Sequence, residues 1–272
     1  MSLVDTDWLR KNLDKVKIID CSWHMPLTKR SGFNEYQKMH IENAIFFDLD
    51  KNSKTGTDLP HMLTEIKSWE KIVSNMGIKN EDKIIIYDNS DIISSCRCWY
   101  NFIYFGHNPR LVHVLDGGLK KWISEKKPTC NNLTETIGSN YMANEKKELV
   151  KNKKQIDENV TINNFKVIDA RSRKRFEGKV PEPRKSLRSG SIKNSFCLPF
   201  SELINENHTF ISADKILEKF RLTKCELDEN IVFTCGSGVT ASVLALAYSL
   251  IDIKYKPTIY DGSWSEYGNN QT

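Results

Sequence analysis

The feature that most constrains the fold is an internal repeat that relates the two halves of the chain. Short apolar segments recur in the same order, with nearly constant offsets of 149, 151, 147 and 145 residues. The matched segments are 17–20 with 166–169, 40–41 with 191–192, 83–91 with 230–238, and 114–118 with 259–263. Self-similarity of this kind indicates a duplicated domain. We therefore predict a first domain over 1–130, a linker over 131–160 and a second domain over 161–272.

Each half alternates short β-favouring apolar segments with helical ones, such as 63–76 and 214–220. This alternation predicts an α/β fold in which each domain has a mainly parallel sheet with helices on both faces. Ligands of such sheets bind beyond the carboxyl ends of the strands. Between the halves, residues 128–160 are rich in Asn, Lys, Glu and Thr, which predicts a polar connector on the surface.

Composition and charge narrow the possible partners. The formal net charge is +5, and the lysines of 120–127 and 146–154 supply much of it, which is typical of a solvated linker rather than a nucleic-acid groove. No run approaches about 18 apolar residues, so we expect no membrane span.

Seven scattered cysteines without a CxxC pair indicate reduced thiols and no structural metal site. Without a basic-then-apolar leader, we expect a cytoplasmic protein, or a mitochondrial one if a targeting segment has been removed.

Residues 231–251 combine a strand, a loop and a helix around one thiol. Ile231 to Phe233 indicate a buried strand, and the apolar run from Val239 indicates a buried helix. Gly236 and Gly238 can adopt positive φ, which would let the loop amides turn inward toward an anion at the helix start. Such surroundings lower a thiol pKa from about 8.5 to roughly 3.5–7.5. We therefore predict that Cys235 is a nucleophile.

The duplicated layout, the Asp-Gly-Gly of 116–118 and the hexapeptide of 235–240 together resemble the tandem-domain sulfurtransferases of the rhodanese superfamily, most closely the branch that uses 3-mercaptopyruvate. The resemblance implies that Cys235 carries sulfur as a persulfide and passes it to thioredoxin, a small thiol or cyanide, with no cofactor. It also implies that the first domain is catalytically silent, since Asp88 stands where the second domain has Cys235. A carboxylate cannot form a persulfide.

The same resemblance assigns roles to further residues. Arg175 and Arg184 match the arginines that hold the substrate carboxylate and keto group, a task suited to planar guanidinium forks. Asp50, His61 and Ser237 match an acid, a base and a hydroxyl that relay a proton. The substrate loop is completed by Gly236, Gly238, Val239 and Thr240.

The loop residues favour this function over three alternatives. Relatives that prefer thiosulfate carry Arg and Lys in the second and third loop positions, whereas Gly236 and Ser237 are neutral, which favours 3-mercaptopyruvate over a thiosulfate:cyanide sulfurtransferase. A cysteine phosphatase needs an arginine six residues after the nucleophile, where this chain has Ala241. A non-catalytic sulfur-carrying or protein-binding module is disfavoured by the intact loop.

Overall fold

The computed structural model describes residues 2–225, 227 and 229–269. The described chain divides into two units. The first contains residues 2–55, 63–146 and 205–210, and the second contains 56–62, 147–204 and 211–269. Each unit has its own parallel sheet.

The first unit contains five strands and five helices within its described residues. The strands are β1 (Leu3–Val4), β2 (Lys17–Asp20), β3 (Ala44–Phe46), β4 (Ile84–Tyr87) and β5 (Val112–Leu115), in the order β1-β5-β4-β2-β3. The helices are α1 (Thr6–Arg10), α2 (Gly32–Lys38), α3 (Ile66–Asn75), α4 (Ser95–Tyr104) and α5 (Gly118–Ser124). Short 3-10 helices lie at Leu13–Lys15, Pro26–Thr28 and Pro109–Leu111.

The second unit repeats this arrangement in its described residues. Its strands are β6 (Val150–Lys151), β7 (Lys166–Asp169), β8 (Phe196–Cys197), β9 (Ile231–Thr234) and β10 (Ile259–Tyr260), in the order β6-β10-β9-β7-β8. Its helices are α6 (Lys153–Ile162), α7 (Arg173–Phe176), α8 (Ala213–Leu222), α9 (Val239–Ser249) and α10 (Ser263–Tyr267), with 3-10 helices at Lys147–Leu149 and Phe200–Leu203. The identical strand order confirms the predicted duplication and the α/β class.

The strands of the second sheet are buried on both faces because successive side chains point to opposite sides. Val232 lies in a core cluster with Ile156 of α6 and Trp264 of α10. The next residue, Phe233, contacts the rings of Phe220 in α8 and Tyr248 in α9. Helices therefore cover both faces, as the sequence predicted.

The connector differs from the predicted linker in its second half. From residue 147 onward the chain belongs to the second unit, where it forms β6 and α6. The amide of Gln155 donates to Asn152, whose own amide donates back to Gln155, so a capping box starts α6. Polar composition concealed this helix because only one side is apolar, with Ile156 buried.

No helix in the described part of the chain is long and apolar enough to cross a membrane.

Two equivalent buried aspartates end the second strand of each half in different electrostatic surroundings. Asp20 accepts hydrogen bonds from the amide and hydroxyl of Ser22, at 2.9 and 2.5 Å. Burial raises the pKa of Asp20 to about 7, although the Ser22 bonds act to lower it. Asp169 instead meets the guanidinium of Arg171 at 2.7 Å, and both side chains are almost fully buried. The second half therefore neutralises its buried carboxylate with a cation.

We expect Asp20→Asn to flatten the pH dependence of stability. Because the pKa of folded Asp20 lies above its ordinary value of 3.8, its contribution is complete below about pH 4 and is lost as pH rises through about 7. The free energy of unfolding of the native chain should therefore fall over this range by up to about 4 kcal/mol, a loss that asparagine avoids. Urea titrations at pH 4 to 8 measure this difference.

The matched control is Asp169→Asn, which leaves Arg171 without its closest counter-charge and should destabilise the protein by about 3–5 kcal/mol. Parallel stability curves for Asp20→Asn and the native chain would contradict the assignment.

Candidate active site

Cys235 lies at the carboxyl edge of the second sheet, between β9 and α9. The register pairs Asp169 of β7 with Thr234, so the thiol directly follows the paired end of a central strand. Its exposed fraction is 2%. This is the position predicted for the nucleophile, at the edge where parallel sheets bind ligands.

The two loop glycines have different conformations. Gly238 has φ 79° and begins α9, so a side chain there would be strained, as predicted. Gly236 does not adopt positive φ, and this part of the prediction was wrong. Glycine instead lets Arg175 approach the backbone closely, because a Cβ at residue 236 would lie 3.3 Å from Nη2 of Arg175.

A serine that the sequence analysis did not single out joins both ends of the loop. The hydroxyl of Ser263 accepts hydrogen bonds from the amides of Cys235 and Gly238, at 3.2 and 3.1 Å, and donates to the carbonyl of Tyr260 at 2.8 Å. Ser263 holds this position with φ 49°, a left-handed conformation that is uncommon outside glycine. The equivalent residue of the first half is Gly118, with φ 54°. The departure from glycine at residue 263 was the available sequence signal.

Four other loop amides remain available to a ligand. No described residue accepts a hydrogen bond from the amides of Gly236, Ser237, Val239 or Thr240. Amides in the first turn of a helix have no intrahelical acceptor, and the helix start carries partial positive charge. The arrangement can therefore stabilise an anion beside Cys235.

Arg175 is held by a chain of buried ion pairs. Glu182 accepts from Nη2 and Nε of Arg175, at 2.5 and 3.2 Å, and from Nη1 of Arg171 at 2.8 Å. Arg171 in turn donates from Nε and Nη2 to the carboxylate of Asp169. Burial acts to lower the pKa of Arg171, but the charges of Asp169 and Glu182, with a contribution from Cys235, raise it above its ordinary value. One edge of the Arg175 guanidinium is thus occupied, and its Nη2 lies against Gly236.

Arg184 reaches the same loop through a serine. Its Nη1 donates to the hydroxyl of Ser265 at 3.3 Å, and that hydroxyl donates to the carbonyl of Gly236 at 2.6 Å. The amide of Ser265 also donates to this carbonyl, at 2.9 Å. Arg175 of α7 therefore lies close to Gly236, and Arg184 is linked to the Gly236 carbonyl through Ser265 of α10.

Two of the three residues of the predicted proton relay lie together in the second unit. Nδ1 of His61 is 2.9 Å from the hydroxyl of Ser237, and both residues are buried. His61 has φ 60°. Asp50 belongs to the first unit, where it accepts from the indole of Trp23 at 2.8 Å. Its pairing with His61 stays a prediction.

Asp88 occupies the place of the nucleophile in the first unit. Its carboxylate accepts from the hydroxyls of Ser90 and Ser94, at 2.7 and 3.1 Å, and from the amide of Ser95 at 3.2 Å. Burial raises the pKa of Asp88 above its ordinary value, although these bonds act to lower it. In the first unit, the hydrogen-bond donors that could bind an anion are therefore occupied by the carboxylate of Asp88.

The seven cysteines lie within the described residues and none forms a disulfide. Among those same residues there is no group of three or more His, Cys, Asp or Glu side chains that could hold a metal ion.

The chain is similar to proteins of one known family. The model of the rhodanese-like domain matches residues 5–125 and again 147–270. Thiosulfate/3-mercaptopyruvate sulfurtransferase 1 of Arabidopsis thaliana, a mitochondrial protein, is 36% identical over 97% of this chain and 75% of its own length. The 3-mercaptopyruvate sulfurtransferase of Homo sapiens is 32% identical over 98% of this chain and 91% of its own.

Among solved structures, SseA from Escherichia coli, described as a 3-mercaptopyruvate sulfotransferase with the rhodanese fold, superposes with a TM-score of 0.87 and 29% identity, covering 97% of this chain and 99% of its own. The resemblance predicted from the repeat and the cysteine loop is thereby confirmed. Two domain matches that cover most of the sequence establish that the chain belongs to the rhodanese family, as a sulfurtransferase with two rhodanese-like domains.

Proposed function

We propose that this protein transfers the sulfur of 3-mercaptopyruvate to a thiol or cyanide acceptor through a persulfide on Cys235, with release of pyruvate. One observation carries the proposal: the Cys235 thiol begins a loop in which four amides have no acceptor among the described residues. The names of the relatives from Arabidopsis and human support the donor, since both include 3-mercaptopyruvate.

The proposed reaction moves one sulfur atom and one proton. The thiolate of Cys235 attacks the sulfur of 3-mercaptopyruvate, so an S–S bond forms while the C–S bond breaks. The electron pair of the broken bond remains on carbon as the pyruvate enolate. The proton of the donor thiol is transferred to that carbon, which yields pyruvate and the persulfide. Negative charge stays on the outer sulfur, where the amides of Gly236, Ser237, Val239 and Thr240 can stabilise it.

Arg175 and Arg184 are suited to bind the carboxylate end of 3-mercaptopyruvate. Glu182 occupies the Nε–Nη2 edge of Arg175, so the Nη1 end of this guanidinium remains for a carboxylate or keto oxygen. Arg184 supplies a second cation, which is linked to the Gly236 carbonyl through the hydroxyl of Ser265. Because the ion pair with Glu182 already holds Arg175 in place, less conformational entropy is lost when a substrate binds to it.

The proton transfer can pass through Ser237 and His61. A serine hydroxyl both donates and accepts a hydrogen bond, and an imidazole nitrogen can take up or release a proton. Their separation of 2.9 Å allows direct transfer. Asp50 is proposed to orient His61, as the family resemblance implies.

Thiosulfate is the second candidate donor, favoured by its presence in the name of the Arabidopsis relative. The loop itself argues against it. A dianion would meet neutral side chains at Gly236 and Ser237, and an arginine at residue 236 would bring a second guanidinium against Arg175, whose Nη2 is already within 3.3 Å of a Cβ there.

The proposed location remains the cytoplasm, with mitochondria as the alternative. The Arabidopsis relative is mitochondrial by name, which supports the alternative for this chain.

Incubation with 3-mercaptopyruvate should add one sulfur atom to the intact mass, and Cys235→Ser should abolish the adduct. Cys197→Ser is the matched control in the same unit, because burial raises the pKa of Cys197 to about 12 and keeps that thiol neutral. Retention of the adduct in Cys235→Ser, or its loss in Cys197→Ser, would refute the assignment of the nucleophile.

Steady-state rates with both donors and cyanide as acceptor test the substrate. We expect kcat/KM for 3-mercaptopyruvate to exceed that for thiosulfate by at least about tenfold, the equivalent of 1.4 kcal/mol in transition-state stabilisation. A preference for thiosulfate would establish the second candidate.

Ser263→Gly should preserve the fold and impair the thiol. Glycine relieves the left-handed backbone at φ 49° but removes the acceptor of the Cys235 and Gly238 amides. We expect thermal stability close to that of the native chain, a fall in kcat of about tenfold or more, and slower alkylation of Cys235 by iodoacetamide.

Ser263→Ala is the companion variant, since it loses the same hydroxyl while keeping the strain, and should be less stable than Ser263→Gly by about 1 kcal/mol. An unchanged alkylation profile in both variants would show that Ser263 does not shape the thiol site.

A further inference from the structure

The start of α10 is hydrogen-bonded to the backbone of the nucleophile loop. The amide of Trp264 donates to the carbonyl of Cys235 at 2.9 Å, and the amide of Ser265 donates to the carbonyl of Gly236 at 2.9 Å. Because the described peptide bonds are trans, the C=O and the N–H of each peptide group point in opposite directions. These two bonds therefore direct the amides of Gly236 and Ser237 away from α10.

The side chain of Ser265 adds a second connection to the same loop. Its hydroxyl donates to the Gly236 carbonyl at 2.6 Å and accepts from Nη1 of Arg184 at 3.3 Å. Ser265 is 5% exposed, so little water can replace either partner. The Gly236 carbonyl thus accepts two hydrogen bonds from one residue, and that residue also holds a guanidinium.

The hydrogen bonds of this network run in one direction. The Arg184 guanidinium donates to the Ser265 hydroxyl, and the hydroxyl donates to the Gly236 carbonyl. The amide of the same peptide group belongs to Ser237, and it has no acceptor among the described residues. Hydrogen bonds in such a chain polarise one another, so a cation at its start makes the amide at its end a stronger donor.

We propose that Ser265 is a positioning residue, whose hydroxyl holds Arg184 for the carboxylate of the donor and transmits the charge of Arg184 to the Ser237 amide. This inference rests on the proposed function, and it names a further residue of the same site. The Ser237 amide is one of the donors proposed to stabilise the outer sulfur of the persulfide. Ser265 acts on both ends of the donor through Arg184 and the Gly236 carbonyl, without contacting the donor itself.

The first half has a different arrangement at the equivalent positions. The repeat pairs Gly236 with Asn89, and continuing the last matched segment by two residues pairs Ser265 with Lys120. The Asn89 carbonyl accepts from the guanidinium of Arg30 at 3.2 Å, and Lys120 forms an ion pair instead. The serine link therefore belongs to the half that has the nucleophile, as a role in the reaction requires.

The informative variant is Ser265→Ala, which removes the hydroxyl but retains the backbone amide that donates to Gly236. Alanine also favours a helix, so we expect the variant to fold. Ser195→Ala is the matched control in the same unit, because the Ser195 hydroxyl also donates to a backbone carbonyl at 2.6 Å, that of Ile192. Ser195 is no part of the proposed catalytic or substrate machinery.

Steady-state rates with 3-mercaptopyruvate and cyanide test the link to the arginine. We expect Ser265→Ala to lower kcat/KM by about tenfold with a rise in KM, since Arg184 loses the acceptor that holds it. Ser195→Ala should change kcat/KM by less than about twofold. A variant that had merely lost folded enzyme would show a lower kcat with an unchanged KM, and this result for Ser265→Ala would overturn the proposal.

A double-mutant cycle measures whether Ser265 acts through Arg184. In an Arg184→Met background the hydroxyl has no guanidinium to hold, so Ser265→Ala should lower kcat/KM by less than about threefold. The same loss in both backgrounds would show that the two residues act independently and would refute the inference.

Alkylation of Cys235 separates this inference from the proposed function, because it needs no sulfur donor. Iodoacetate has a carboxylate beside its reactive carbon, whereas iodoacetamide has a neutral amide at that position. The ratio of their rates at Cys235, followed by peptide mass in the whole enzyme, therefore reports a correctly held cation. We expect this ratio to fall at least about threefold in Ser265→Ala and to stay unchanged in Ser195→Ala.

The two possible failures give different results. If 3-mercaptopyruvate forms no adduct on Cys235 but the iodoacetate to iodoacetamide ratio falls in Ser265→Ala, the positioning role stands and the proposed function fails. If the adduct forms but the ratio is the same in the native chain and Ser265→Ala, the positioning role is refuted and the proposed function stands.

Discussion

The interaction on which the site depends is the set of three hydrogen bonds made by the Ser263 hydroxyl. By accepting from the amides of Cys235 and Gly238, it holds together the first residue of the loop and the residue that precedes α9. Its own proton goes to the Tyr260 carbonyl at the end of β10. With these two amides engaged by Ser263, the four that have no acceptor among the described residues can serve an anion. The shape of an anion pocket is therefore set by a residue that contributes no charge to it.

The two halves show how little must change for a duplicated fold to keep or lose such a pocket. At the position of the thiol, the first half has Asp88, whose carboxylate is bound by Ser90, Ser94 and the Ser95 amide. At the position of Ser263 it has Gly118, where a Cβ would come within 2.5 Å of the Asp88 carbonyl. A serine there would collide with the loop, so the first half combines an internal anion with a residue too small to shape an open pocket.

Much of the fold could be predicted from the sequence because its signals are local and repeated. Apolar strands followed by helices, twice in the same order, determine parallel sheets, and the carboxyl edge of β9 then places Cys235. The roles of Ser263 and Glu182 could not be predicted in this way. Ser263 acts through the amides of Cys235 and Gly238, 28 and 25 residues earlier, and the departure from glycine at its repeat position does not show which groups it contacts. Glu182 pairs with Arg171 and Arg175, 11 and 7 residues away, but the sequence does not show which cations of this basic stretch it meets. Gly236 illustrates the same limit: the sequence indicated a special need for glycine, but the reason is an approach by Arg175 rather than positive φ.

The charges of the second unit form two layers with different physical tasks. In the inner layer, Asp169, Arg171 and Glu182 are almost fully buried and Arg175 is partly exposed. The four alternate in sign, so their net charge is zero and each ion is paired. Breaking such a chain is costly, which makes it suited to fixing the direction of Arg175. In the exposed layer, Lys174, Lys185, Arg188 and Lys193 have no acidic partner among the described residues, and in water such charges add little to stability. Exposed charges of this kind therefore do not hold the fold together, whereas the ion pairs beneath them fix the position of a substrate arginine.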